Sequence, residues 1–529
     1  MIVVGERGPE GEGERGGREG QPRFFLCREA IWTAAARHMR KGLLLSSLLP
    51  GTFGAFLLLP CGKRALSPVV HTASAAMLST DGCDAPPQRL GQYIDSIDEA
   101  AKSLRAGGLV AFPTETVYGL GAHAMDADAV ARIFTVKGRP RSDPLIVHVS
   151  TAQAAEKLVV LDPAGRALMR SLMETFWPGP LTLVAPACPE LPSIITAETG
   201  FVGVRIPDHA RAQALLAAAD IPVAAPSANR FGHVSPTRPE HVMDDLGAHD
   251  ILVLNPDSTQ QQQQQQRRKR QSAAPTTCNV GIESTVVKVD AANKQLLLLR
   301  RGGIPEAELA RFLAAQPDFA DFSLAVQPQK HKAPPPLPPD AEAAAEQVAQ
   351  AAKDAIAYAE GQPGAEGMIA PGMSLTHYAP DLPSFLVRSS DPEQEAASAV
   401  AAAAAGTRLF SVSTAVVLDF GGRLASLESR CLAYRDLSSE ADAAEAAAGV
   451  FDALRWAEGR AAEGGRCVLL PDVVAAAAAH SGETSNELSA ATAEMAPALA
   501  DRLFRAASGR TARLAEDGAS LIVGAGDES

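Results

Sequence analysis

Short β-rich runs alternate with helical patterns from Tyr93 to Phe322, and this alternation restricts the fold more than any other feature of the chain. Leu109–Phe112, Leu145–Val149, Leu181–Val184, Val202–Ile206, Val223–Ala225, Val286–Val289 and Leu296–Leu299 read as strands. Ile94–Ala106, Asp126–Thr135, Pro163–Phe176 and Ala210–Ala219 read as helices. Such an order predicts an α/β domain with a mixed sheet. In that frame Arg205 is conspicuous. It stands in the middle of the apolar run "GVRIP", where a buried guanidinium is costly unless it meets a carboxylate or phosphate.

A second, smaller α/β domain is expected beyond a proline-rich boundary. Ser384–Val387, Thr407–Val412, Ala415–Phe420 and Cys467–Leu470 read as strands, and Ala396–Ala404, Asp442–Arg460 and Thr492–Ala507 as helices. The expected organisation is an extension over 1–92, a first domain over 93–328, a linker over 329–382, a second domain over 383–510 and a disordered polar tail over 511–529. The linker carries a probable helix at Ala341–Ala359 and the kinked motif "APGMSLTHYAP". A glutamine run ending in Arg267-Arg268-Lys269-Arg270 cannot bury apolar surface, so 258–275 reads as a flexible loop insertion in the first domain. Residues 1–38 have a disordered composition, and 39–80 contain no acidic residue. That pattern suits an organellar presequence, an inert extension, or a signal or anchor at Gly42–Leu59; Pro50-Gly51 weakens the last. The mature chain is expected in the cytoplasm, or in a mitochondrion or plastid if 39–80 acts as a presequence.

The formal net charge of -13 across 529 residues argues against non-specific coating of nucleic acid, but not against a local basic cleft. Seven scattered cysteines with no C-x-x-C pair fit a reducing compartment and give no zinc signature. The chemistry gathers at strand ends. "VKGRPRSDPLIVHV" places Lys137, Arg139 and Arg141 among prolines, on what reads as an extended turn before a strand. "FPTETVYGLG", "APSANRFGHVSPT", "GIEST" and "LLRRGGIP" add hydroxyls, cations and tight glycine turns, each beside a strand. Taken singly, a strand histidine such as His148 is more often structural, and a basic loop more often solvated. Together, loops at strand ends form the usual ligand crevice of an open α/β sheet. There is no P-loop and no Ser-His-Asp pattern, so the chemistry implied is electrostatic holding of phosphates and a carboxylate.

The ordered blocks "FPTETVYGLG", "KGRP…PLIVHV", "WPGPLT", "GVRIP", "APSAN", "GIESTVV" and "LLRRGGI" resemble the YrdC-type threonylcarbamoyl-AMP synthases. "PGMSLTHYAP" and the second α/β domain resemble the longer form of that family, over roughly residues 93–508. The resemblance implies a twisted mixed sheet with a ligand cleft, followed by a linker and a smaller Rossmann-like domain. It implies that L-threonine, bicarbonate and ATP, with Mg2+ on the phosphates, give threonylcarbamoyl-AMP and pyrophosphate. A tRNA threonylcarbamoyl transferase complex would then use the product beside the anticodon, with no membrane and no stable nucleic-acid contact required. Carried over by position, Lys137 and Arg139 would be catalytic, and Thr116, His148, Arg205 and Ser284 would bind threonine. Arg139, Asp143, Ala225, Ser227, Ser235, Arg300 and Tyr378 would bind ATP, with Tyr378 on a linker that folds over the nucleotide.

Two departures stand out. Asp143 replaces a frequent Asn and would repel a triphosphate unless it faces Arg141 or Mg2+. The glutamine insertion replaces a small turn before "GIEST". Two other readings compete with the synthase. One is a double-stranded RNA or tRNA-binding module of the same fold, disfavoured by the acidic charge and the lack of interleaved aromatics. The other is the related carbamoyl-transfer enzyme of hydrogenase maturation, whose C-x-x-C zinc modules and acylphosphatase-like segment are missing from this sequence.

Overall fold

The computed structural model describes residues 90–256, 278–327, 367–372, 377–387, 408–473, 487–515 and 519–524. The readings for 1–89, the glutamine insertion, and the helices at 341–359 and 396–404 lie outside the described residues.

In the first half, eleven described strands join in one mixed sheet. From one edge it runs β1 (Gln92–Ile94), β8 (Leu252–Leu254), β2 (Val110–Phe112), β3 (Gly119–His123), β7 (Val223–Ala224) and β4 (Ile146–His148). It continues through β6 (Phe201–Arg205), β5 (Leu181–Pro186), β9 (Thr285–Asp290), β10 (Gln295–Arg300) and β11 (Ser323–Val326). The two-residue side-chain period sorts the core into layers. Val110 and Phe112 pack with Leu104, Leu215 and Leu216, whereas Leu109 and Ala111 join the larger cluster around Ile133, Leu168 and Leu172. The helices that supply those layers include α1 (Ile97–Arg105), α2 (Ala127–Lys137), α3 (Ala152–Glu156), α4 (Pro163–Phe176) and α5 (Ala210–Ala219), with α6 (Pro239–Leu246) and α7 (Glu306–Ala314) further on.

Several sequence readings need correction. Ile94 closes the edge strand β1 rather than starting α1, which begins after the Ser96 cap. Lys137 is not on an extended turn. It is the last residue of α2, which Asp126 caps at its start by accepting the Asp128 and Ala129 amides. Gly138 ends the helix with φ of 63°, and the Arg139 amide then donates to the Phe134 carbonyl. The reversal throws Lys137 and Arg139 to the same side of the loop that leads to β4.

The second half holds a seven-stranded sheet in the order β13 (Arg408–Ser411), β18 (Ser520–Gly524), β17 (Thr511–Leu514), β12 (Ser384–Val387), β16 (Cys467–Pro471), β14 (Ala415–Asp419) and β15 (Ala433–Asp436). The expected disordered tail over 511–529 is overturned for its first part. β17 pairs with β12, and β18 pairs with both β17 and β13, so residues 511–514 and 520–524 are integral to the sheet. Leu521 and Val523 point into its core, an alternation that a five-residue apolar run can hide. Helices α8 (Ala443–Gly459) and α9 (Glu487–Ala506) cover the other face, and their apolar residues share a cluster with Val117, Val234, Ile282 and Tyr378 of the first half and linker. Among the described residues no helix is long and apolar enough to cross a membrane.

The two halves meet closely. Gly281 has φ of +73°, and a Cβ there would lie 2.4 Å from the Ala448 Cα of α8, so the backbone contact excludes any side chain. Beside it His233 bridges the halves. Its Nδ1 lies 2.8 Å from Asp245 of α6, and its Nε2 lies 3.0 Å from Glu458 of α8. Burial opposes charging of this imidazole, but the hydrogen bonds to Asp245 and Glu458 outweigh it and raise its pKa, despite Arg455 and His241 nearby. A raised folded-state pKa means that the stabilisation is complete below the unfolded histidine value of about 6.5 and disappears as pH climbs through the folded value. His233→Gln should therefore lower the melting temperature by about 2 °C or more at pH 6, with a smaller gap at pH 9, as read by thermal scans of both proteins. A gap that stays constant across that range would contradict the charged bridge.

Candidate active site

The strand ends of the first sheet, the "GIEST" turn and the linker line one cleft. Parallel pairing of β4 with β6 sets His148 directly beside Arg205, so the sheet register alone brings two predicted site residues together. Thr116, Ser284, Arg139, Arg300, Ala225, Ser227 and Tyr378 line the same cleft. Three other predicted residues stand just behind the wall. These are Lys137, Asp143 and Ser235, which reach the cleft through the groups they hold.

Arg205 is 4% exposed, and its burial is compensated on the spot. Both terminal nitrogens donate to Thr116 Oγ1 at 3.1 Å, Nε donates to the Gly179 carbonyl at 3.1 Å, and Glu115 lies 2.6 Å from Nη2. His148 is buried against the edge of Phe112. Burial, with the Arg205 charge added, drops its pKa to about 3, so it is a neutral imidazole at any physiological pH. Ser284 Oγ is 2.8 Å from Thr182 Oγ1 and also accepts from Arg300 Nη2 at 3.2 Å. This end of the cleft thus offers a guanidinium, a neutral imidazole and two hydroxyls.

The other end is cationic. Arg139 donates to the Asp143 and Pro144 carbonyls and pairs with the Asp143 carboxylate at 2.9 Å. Asp143 therefore faces Arg139, whereas Arg141 is exposed, which corrects the expected partner. Burial pushes the Asp143 carboxyl up, while Arg139, Lys137 and Arg300 pull it down. Arg300 donates to the Ser284 carbonyl at 2.9 and 3.2 Å and to the linker's Pro371 carbonyl at 3.3 Å. Lys137 Nζ donates to the Ser227 and Asn229 carbonyls at 2.6 and 2.5 Å, pinning the "APSAN" loop. Burial first and Arg139 second lower the Lys137 pKa well below its usual value. Among the described residues no carboxylate forms an ion pair with Arg300 or Lys137. Both cations are held by neutral oxygens.

Tyr378 closes this end from the linker. It is fully buried at a φ of +63°, an unusual conformation for a large side chain, and its hydroxyl has no hydrogen-bond partner among the described residues. Burial and the nearby Glu283 push its pKa up to about 12, so it remains a phenol. The sequence reading missed Glu115 and Glu283, although both sit inside quoted blocks as lone acids among small residues. Glu283 lines the cleft and accepts the Ser235 hydroxyl at 2.6 Å. It also missed Arg502 of α9, whose Nε donates to Glu283 at 2.9 Å. The signal was present, since Arg502 falls on the same helical stripe as the buried Leu499, Leu503 and Ala506. The one group of metal-capable side chains among the described residues, His233, Asp381 and Glu458, is outside the cleft lining, and its imidazole already bonds two carboxylates. Within the cleft the Glu283 oxygens are taken by Ser235 and Arg502, so the donor set suits a Mg2+ that arrives on ATP better than one held by the protein.

A family model described as "Telomere recombination" matches residues 102–266, and one described as "Threonylcarbamoyl-AMP synthase, C-terminal domain" matches residues 342–508. The threonylcarbamoyl-AMP synthase of Bacillus subtilis is 35% identical over 56% of this chain and 68% of its own length. That of Pyrococcus abyssi is 40% identical over 40% of this chain and 56% of its own length. The crystal structure of P. abyssi Sua5 complexed with L-threonine superposes with a TM-score of 0.53 at 27% identity, covering 80% of this chain and 99% of that one. The chain belongs to the threonylcarbamoyl-AMP synthase family, in its two-domain form.

Proposed function

We propose that the chain is a nucleotidyltransferase that makes threonylcarbamoyl-AMP and pyrophosphate from L-threonine, bicarbonate and ATP, for a downstream tRNA threonylcarbamoyl transferase. The observation that carries this reading is the division of one cleft into an amino-acid end and an anion end. Arg205 takes the threonine carboxylate on its guanidinium, and Thr116 and Ser284 meet the hydroxyl. Bicarbonate gives CO2 and a hydroxide that takes the threonine ammonium proton and leaves as water, and the neutral amine then attacks the CO2, shedding a second proton to solvent as the carbamate forms. A carbamate oxygen then attacks the α-phosphorus of MgATP, and pyrophosphate leaves. Arg300 and Arg139 face the negative charge that builds on the phosphates, Lys137 holds the Ser227 and Asn229 carbonyls of the wall behind them, and the Tyr378 phenol donates a hydrogen bond from the linker. Because these donors are already buried and fixed, little reorganisation accompanies the charge shift. Asp143 keeps Arg139 in place rather than meeting the phosphates. Water protonates the carbamate, which then loses CO2, and it hydrolyses the mixed anhydride, so the buried Tyr378 also has a water-excluding role.

The direct test is to incubate the chain with ATP, labelled bicarbonate and threonine. Labelled threonylcarbamoyl-AMP is expected, and ATP hydrolysis that ignores threonine would overturn the reading. If the double-stranded RNA module were the true function, RNA would bind with a steep salt dependence and without threonine.

Arg205→Lys keeps the charge but loses the fork, and charge-assisted hydrogen bonds of about 1.5–3 kcal/mol predict a threonine KM about 10- to 150-fold higher. An unchanged threonine KM would remove Arg205 from the site. Serine lacks only a methyl, so its kcat/KM should fall about 10- to 200-fold below that of threonine. Since His148 is neutral above about pH 3, His148→Gln should lower kcat yet leave the shape of the rate–pH profile between pH 6 and 9 intact. A shift of the acid limb in that variant would show that His148 titrates.

A further inference from the structure

Arg502 belongs to the second domain, yet it makes its contacts on the synthase cleft. Its guanidinium is fully buried. Nε donates to Glu283 Oε2 at 2.9 Å, Nη2 donates to the Arg301 carbonyl at 2.9 Å, and Nη1 pairs with Asp501 at 2.9 Å. The guanidinium carbon also lies 5.3 Å from the centre of the Tyr378 ring. One side chain from α9 therefore touches the "GIEST" turn, the turn after β10 and the linker residue that closes the nucleotide end.

The electrostatics give these contacts a purpose. Glu283 is the carboxylate that lines the cleft, and it holds the Ser235 hydroxyl at 2.6 Å. A buried carboxylate in the wall of a cleft that must admit a polyanion is repulsive unless a cation neutralises it, and Arg502 is the cation in contact with it. Without that charge, Glu283 would repel the phosphates and rotate away from Ser235, and Tyr378 would lose the cation on its ring face. Threonine is a zwitterion bound at the Arg205 end, so it should feel the change far less.

We propose that Arg502 is a positioning residue for ATP, acting through Glu283, Ser235 and Tyr378, so that the second domain completes the nucleotide end of the active site. This rests on the synthase reading, in that it takes the Arg139–Arg300–Tyr378 end as the nucleotide end.

The test is calorimetric titration of ATP and of L-threonine into the full chain, for wild type, Arg502→Met, Arg502→Lys and the double variant Arg502→Met/Glu283→Gln. Arg502→Met should weaken ATP binding about tenfold or more while threonine affinity stays within about twofold. Arg502→Lys should recover part of the loss, and the double variant most of it, because the unpaired carboxylate is gone. If Arg502→Met fails to fold, the lysine and double variants carry the comparison, since neither leaves Glu283 without compensation. ATP and threonine affinities falling together, or ATP affinity that does not move, would overturn the proposal. A wild-type chain that binds ATP but forms no threonylcarbamoyl-AMP removes the synthase reading and leaves the affinity comparison in force; one that binds no ATP overturns both.

Discussion

The cleft is organised by buried cations that outnumber their carboxylate partners. Arg139 has Asp143, Arg205 has Glu115 and Arg502 has Glu283 and Asp501, but among the described residues Arg300 and Lys137 lean on carbonyl and hydroxyl oxygens alone. Desolvating a cation without an anion is costly, and the lowered pKa values of Lys137 and Arg300 express that cost. The surplus is tolerable because carbonyl oxygens hold each cation, and it becomes favourable once an anion enters. On the proposed synthase reading, such a surplus is what would hold ATP without a P-loop. The phosphates are met by side-chain charge stored in the sheet and its loops, rather than by a run of backbone amides at a helix N-terminus.

The parts of the fold that were legible in the sequence are those with strong local signals. α4 and α5 fall on the expected residues because an Asp-Pro cap opens one helix and Pro207 with the His209 cap precedes the other. The missed elements share a physical cause. β1 gains its strand character only by pairing with β8, some 160 positions away, and β3 is "GLGAH", whose glycines carry little strand propensity. The last two strands looked like a polar tail because both are short and their apolar residues become meaningful only across from β12 and β13. In each case tertiary pairing decides the structure, and a local reading has no access to it.

The candidate site divides along the same line. Arg205 was visible because a guanidinium inside an apolar strand demands an explanation, and the β4–β6 register then delivers His148 beside it. The Asp143 partner was misread because Arg139 and Arg141 are equivalent in composition. Only the αL turn at Gly138 decides which of them returns to the cleft. Arg502 showed by its place on a buried helical stripe, but what it pairs with was invisible for a different reason. Its partner lies 219 residues away, so the pair exists only once the two domains have docked.

That docking links stability to function. Gly281, whose backbone touches α8, is two residues from Glu283 and three from Ser284, so the interface contact and the cleft wall are one continuous turn. His233 likewise sits two residues before Ser235, in the loop that Lys137 and Asn229 brace from within. The second domain therefore presses on the cleft at two turns, and Arg502 supplies charge at the point between them. For the proposed reaction, a cleft that admits a tetra-anion, excludes water and protects a mixed anhydride needs walls that hold their shape under a large change in charge. Packing a helix and its arginine against those walls rigidifies them without placing any group in the path of the substrates. In this arrangement the second domain belongs to the active site's electrostatic frame even though α9 and its arginine stay out of the cleft lining.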